Sequence, residues 1–127
     1  MKKVNKKLDV GETKEKSTLV RTNNTITVSE KAVFIYIGDD TYVLPKARVK
    51  LLLDGELETK TGSKARAIAL SLLTEDGIEN QKGFLTVKGK AVYIKPDVDE
   101  LFIISKTGLK ELVDEEKPVL YLKKFSD

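Results

Sequence analysis

The chain of 127 residues contains no cysteine and no histidine. Without cysteine there is no disulfide framework, no thiolate zinc site and no thiol nucleophile. Without histidine the commonest general base and the commonest metal ligand are missing as well. Long apolar runs are also absent. The longest, Ala32 to Ile37, falls far short of the ~18 residues that a membrane-spanning helix needs. The lysines after Met1 lead into no extended apolar stretch, so no secretory signal is read there and a cytoplasmic location is expected.

What remains is ordinary for a globular protein: 40% hydrophobic and 34% charged residues, with length for one domain or two very small ones. The formal net charge is +3. All of that excess lies in residues 1–16, where six lysines face only Asp9, Glu12 and Glu15. Residues 17–60 and 61–127 are each balanced. We read 1–16 as a basic flexible N-terminal segment, in which Lys2, Lys3, Lys6 and Lys7 either reach for phosphates or merely solubilise. Nucleic-acid binders usually carry a basic domain, so this neutral body would have to segregate its lysines onto one face. The abundance of Lys and Glu leans towards a thermophilic origin.

An internal repeat is the most informative feature. Residues 26–37 (ITVSEKAVFIYI) align with 85–96 (LTVKGKAVYIKP) at an offset of 59, with 6 identities in 12 positions. Residues 42–56 (YVLPKARVKLLLDGE) align with 102–116 (FIISKTGLKELVDEE) at an offset of 60, with 5 in 15. Chance gives about one identity in fifteen. The chain therefore reads as two copies of one supersecondary unit.

Both copies carry the same structural signals. Val33, Ile35 and Ile37 alternate with Phe34 and Tyr36 at the period of a strand. Thr25–Val28 and Phe84–Val87 supply a preceding strand, and Thr41–Leu44 and Leu101–Ile104 a following one. The period then lengthens. Val49, Leu52 and Leu53, and likewise Leu109, Leu112 and Val113, share one helical face. Pro45 suits a helix start and Ser105 can cap the equivalent one. Gly55 ends the first helix and Pro118 stops the second. Ser17–Thr22 reads as an additional first strand, and Leu57–Lys60 and Val119–Lys123 as short strands after the helices. Position in the repeat favours a strand within Ser63–Thr74, although its alanines and the closing Glu75-Asp76-Gly77 also suit a helix.

Catalytic chemistry finds little to work with. Asp39-Asp40, Asp97 with Asp99, and Asp114-Glu115-Glu116 are the visible carboxylate clusters, and they fall on turns or trail a helix. No Gly-rich phosphate loop and no Ser-x-x-Lys arrangement with supporting motifs is present. We expect neither an enzyme nor a metal or other cofactor. Phe34, Tyr36 and Tyr93 point away from the Val/Ile face of their strands, near Arg21, Lys31, Lys90 and Lys95. Aromatic rings interleaved with cations suit stacking on unpaired bases, and they suit equally a face buried against the other copy or a second protomer. Lys46, Arg48 and Lys50 put positive charge at a helix start, where the dipole disfavours it, and Lys106 and Lys110 repeat that placement. An unfavourable arrangement used twice suggests an anion-binding role.

Strands feeding straight into an amphipathic helix, in tandem, resemble the repeats of PUR-domain proteins and the related Whirly and transcriptional-coactivator folds. TYVLPKARVKLLLDG (41–55) and ELFIISKTGLKELVDE (100–115), each with its upstream hairpin, carry the likeness over most of residues 17–117. It implies binding of single-stranded DNA or RNA across a sheet face. The expected architecture is α+β: two tandem β-meander–helix units, 17–60 and 61–127 with a C-terminal strand, packed about a pseudo-two-fold. The expected function is a small non-enzymatic binding protein for single-stranded nucleic acid, or alternatively a homodimerising assembly module, without a membrane role.

Overall fold

A computed structural model describes residues 24–79 and 82–124. The basic segment 1–16, the strand expected over Ser17–Thr22 and the candidate Arg21 lie outside the described residues. In chain order the elements are β1 (Asn24–Val28), β2 (Ala32–Ile37), β3 (Asp40–Pro45), α1 (Lys46–Leu53), β4 (Ala67–Ala69) and β5 (Ser71–Thr74). There follow β6 (Gly77–Glu79), β7 (Phe84–Lys88), β8 (Ala91–Asp97), β9 (Glu100–Ser105), α2 (Lys106–Val113) and β10 (Leu120–Lys124).

Two separate meander–helix units are not what forms. All ten described strands belong to one antiparallel sheet, ordered β4-β7-β8-β9-β10-β1-β2-β3-β5-β6. It curls into a half-barrel, with 53% strand against 16% helix, so the protein is mostly β rather than α+β. The physical reason is pairing that the repeat does not contain. β10 hydrogen-bonds β9 on one side and β1 on the other, stitching the strand sets together. Residues 67–74 then draw the curl inward: Ala69 pairs with Phe84 of β7, while Ser71 pairs with Val43 of β3. One short stretch of chain thus touches both flanks of the sheet, and buried Leu70 sits between them. Leu57–Lys60 makes no strand; only an isolated bridge, Glu58 with Lys64, forms there.

Alternation decides which residues face inward. Val33, Ile35, Tyr42, Leu44, Leu85, Val92, Ile94 and Phe102 form the inner face and are buried with Val49, Leu52, Leu109 and Leu112 of the helices. Each such side chain contributes roughly 1.5–3 kcal/mol by leaving water. Ser105 Oγ accepts the Gly108 N–H at 2.9 Å and so caps α2, whereas α1 begins after Pro45 with no side-chain cap. Both helices lie on the inner side and touch each other. The outer face of the sheet carries neither.

Candidate functional site: the outer sheet face

Register fixes what points outward. Tyr93 pairs with Thr86 and Ile103, and Ile103 pairs with Lys123, giving one continuous row across β7 to β10. Tyr121, Thr25, Tyr36, Thr41, Leu73 and Ile78 form a second row, from β10 through β1 to β6. Phe34 pairs with Thr27 and Val43, and Phe84 with Lys95, on the same side. Five of the seven described aromatic residues therefore face outward: Phe34, Tyr36, Phe84, Tyr93 and Tyr121. The Phe34 and Tyr36 rings are stacked, with centroids 6.5 Å apart and planes at 25°. Lys88 sets its ammonium 5.2 Å from the centre of the Tyr93 ring, within cation–π range.

Positive charge predominates on the strands of this face. Lys88, Lys95 and Lys123 occupy outward strand positions, and none has a carboxylate partner among the described residues. The acidic strand residues Asp40, Glu79 and Glu100 fall instead on the register of the inward set. Asp97 follows a register shift at the end of β8, and its carboxylate accepts the Val98 N–H at 2.6 Å. Acidic and basic groups thus mix on the helix side, where Lys124 also shares the inward register, while the outward strand positions named here carry lysine.

Of the residues nominated from the sequence, Phe34, Tyr36, Tyr93 and Lys95 come together on the outer face. Lys31 and Lys90 are exposed at the hairpin tips beside the helix starts, where their carbonyls accept the Lys46 and Lys106 N–H groups. Lys46, Arg48 and Lys50 stand on α1, away from the outer face. Lys46 is buried; its ammonium donates to Glu115 Oε2 at 2.6 Å and to the Ser29 carbonyl at 3.3 Å. That contact holds the Glu115 carboxyl below the usual carboxylate range, through the hydrogen bond first and the charge second. Lys50 pairs with Asp114 at 3.8 Å, and Lys110 with Asp54 at 3.3 Å. Lys46, at the start of α1, and Lys50 and Lys110, in the last turns of the two helices, thus tie α1 to α2 and the residues that follow it. Phe84, Lys88, Tyr121 and Lys123 were not nominated. The available signal for Tyr121 is its alternation with Leu120 and Leu122; Phe84 is placed only by its pairing with Lys95 in the sheet.

No group of His, Cys, Asp or Glu among the described residues is arranged to hold a metal ion, and no described helix is long and apolar enough to cross a membrane. Compared with known proteins, the chain matches no family model, no curated protein and no solved structure.

Proposed function

We propose that the chain is a non-enzymatic binding protein that takes single-stranded nucleic acid on its outer sheet face. One observation carries this reading: five aromatic rings share that face with three lysines that lack carboxylate partners among the described residues. Rings offer stacking to any base, and unneutralised lysines answer the phosphates between them. A duplex keeps its bases stacked on each other and cannot use the rings. The face therefore favours single strands. The resemblance carried by residues 41–55 and 100–115 points the same way.

Fluorescence anisotropy with a labelled oligothymidylate tests this. Binding should weaken as salt rises and exceed that to the same sequence as a duplex. Tyr93→Ala and Phe34→Ala should each lower affinity by roughly 5- to 100-fold, the value of about one stacked base. Absence of binding at low salt overturns the proposal. A second reading, assembly into homodimers, draws on a different observation. β6 is an edge of the sheet among the described strands, and its Ile78 is 59% exposed beside the exposed Leu73. Such an edge can pair with another copy of itself. A concentration-dependent dimer without oligonucleotide binding would select that reading.

A further inference from the structure

We infer that the cleft at the start of β7 is a pocket for a single nucleotide, taking one unpaired base and its phosphate; this rests on the single-strand reading above and locates its tightest subsite. The cleft has a volume of about 450 Å³ and is lined by Lys82, Phe84, Thr86, Lys95, Pro96 and Val98, with Gly83 and Asp97 completing the wall. That size falls within the ~300–1,000 Å³ usual for small-ligand pockets.

Its frame is fixed by backbone. Gly83 adopts φ +109°, and a Cβ there would lie 2.2 Å from the Lys95 carbonyl oxygen and 2.6 Å from the Pro96 Cα. Only glycine allows β7 to enter so close to the end of β8. The same segment is tied to the core: Lys82 N–H donates to the Leu70 carbonyl, and Leu70 N–H to that of Gly83. Upon this frame stand two uncovered apolar groups, the Phe84 ring at 45% exposure and Val98 at 79%. Pro96, which also lines the cleft, is buried.

The charges at the rim select the occupant. The Lys82 and Lys95 ammonium groups have no ion-pair partner among the described residues, and they outnumber the single carboxylate of the wall, Asp97, which accepts the Val98 N–H and keeps its charge. A ligand with a flat, partly apolar ring and an attached anion satisfies both the apolar walls and the free cations. A nucleotide has that chemistry. The cleft also adjoins the row of Thr86 and Tyr93, so a strand lying on the face can place one residue in it.

The test uses the full chain, ¹⁵N-labelled, titrated with thymidine monophosphate and separately with a labelled oligothymidylate. The expected result is amide shifts concentrated at residues 82–86 and 95–98 with the mononucleotide. Phe84→Ala should abolish those shifts and weaken the oligonucleotide by about tenfold, as loss of one stacked base does. Val98→Glu, at an exposed turn position, should weaken both ligands by adding an anion at the rim, and a native amide spectrum shows that the fold is intact. If the oligonucleotide binds normally to both variants and the mononucleotide leaves 82–98 unshifted, the pocket is refuted while the outer-face reading stands. If neither ligand binds the unmodified chain, both fall together.

Discussion

Lysine is used differently on the two sides of the sheet. On the helix side, Lys46, Lys50 and Lys110 each find a carboxylate: Glu115, Asp114 and Asp54 respectively. On the outer side, Lys88, Lys95 and Lys123 find none among the described residues, and Lys88 rests over an aromatic ring instead. The same contrast holds for apolar groups. Inner Val, Ile and Leu side chains are sealed beneath the helices, while Phe84, Tyr121 and Leu73 stand open at 45%, 63% and 43% exposure. Groups consumed by the fold lie on one side, and groups with no such use among the described residues lie on the other.

The largest effect separates the sides by packing. Leu109→Ala and Leu112→Ala, both fully buried, should each destabilise the protein by about 2–5 kcal/mol, through lost transfer energy and the cavity left behind. Tyr121→Ala should change stability by no more than about 0.5 kcal/mol, as surface substitutions usually do. Urea denaturation reads both. A cost at Tyr121 approaching that at Leu109 would mean that the outer face is itself covered, and the contrast would fail.

Next in size is an alkaline effect at the inner face. Tyr42 is 3% exposed, and its hydroxyl pKa is pushed up to about 12, chiefly by burial and then by the charges of Asp40, Glu100 and Asp97. The sign follows from the raised value. The unfolded chain ionises this tyrosine near pH 10 while the folded chain keeps it neutral, so its contribution is whole below pH 10. That contribution is lost as pH rises through about 12. Two pH units correspond to roughly 2–3 kcal/mol. Tyr42→Phe should remove that part of the alkaline decline, whereas Tyr121→Phe on the outer face should leave it. Equal slopes in the native and Tyr42→Phe proteins would show that Tyr42 ionises without opposition from the fold.

The local elements were legible because their signals are short-range. Alternation gave the strands around Val33 and Val92, and a 3.6-residue period gave the helices carrying Val49 and Leu109. The continuous curled sheet was not legible. It depends on β10 bridging β9 to β1 and on residues 67–74 reaching both flanks, and such pairings leave no periodic trace. Lys46 reads as an anion ligand because a helix N-terminus disfavours cations; Lys50, read the same way, falls in the last turn of α1, where the dipole does not oppose it. What offsets the cost at Lys46 is Glu115, just past the end of α2 and more than sixty residues along the chain. Glu115 even holds φ +63° where the first copy has Gly55, and its bond to Lys46 accompanies that strained conformation. Phe84 and Tyr121 escaped notice because the repeat gave no reason to look. Phe84 aligns with Thr25, and Tyr121 lies beyond both aligned blocks.

The smallest effect tests the charged half of the contrast. Lys50 and Lys110 stand 60 residues apart in sequence, as do Asp54 and Asp114, and the two ion pairs cross reciprocally between α1 and α2. All four side chains are about half exposed, so water screens each pair. Lys50→Ala and Lys110→Ala should therefore each cost only about 0.2–1 kcal/mol, and molar salt should erase most of it. The 3.3 Å pair of Lys110 should cost at least as much as the 3.8 Å pair of Lys50. Lys95→Ala, with no carboxylate partner to lose among the described residues, should leave stability unchanged while weakening the oligonucleotide and flattening its salt dependence. Thermal melts and anisotropy on these three variants set the two sides against each other. Should Lys95→Ala destabilise the fold as much as Lys110→Ala does, the outer lysines would be structural after all, and the division of labour between the faces would be lost.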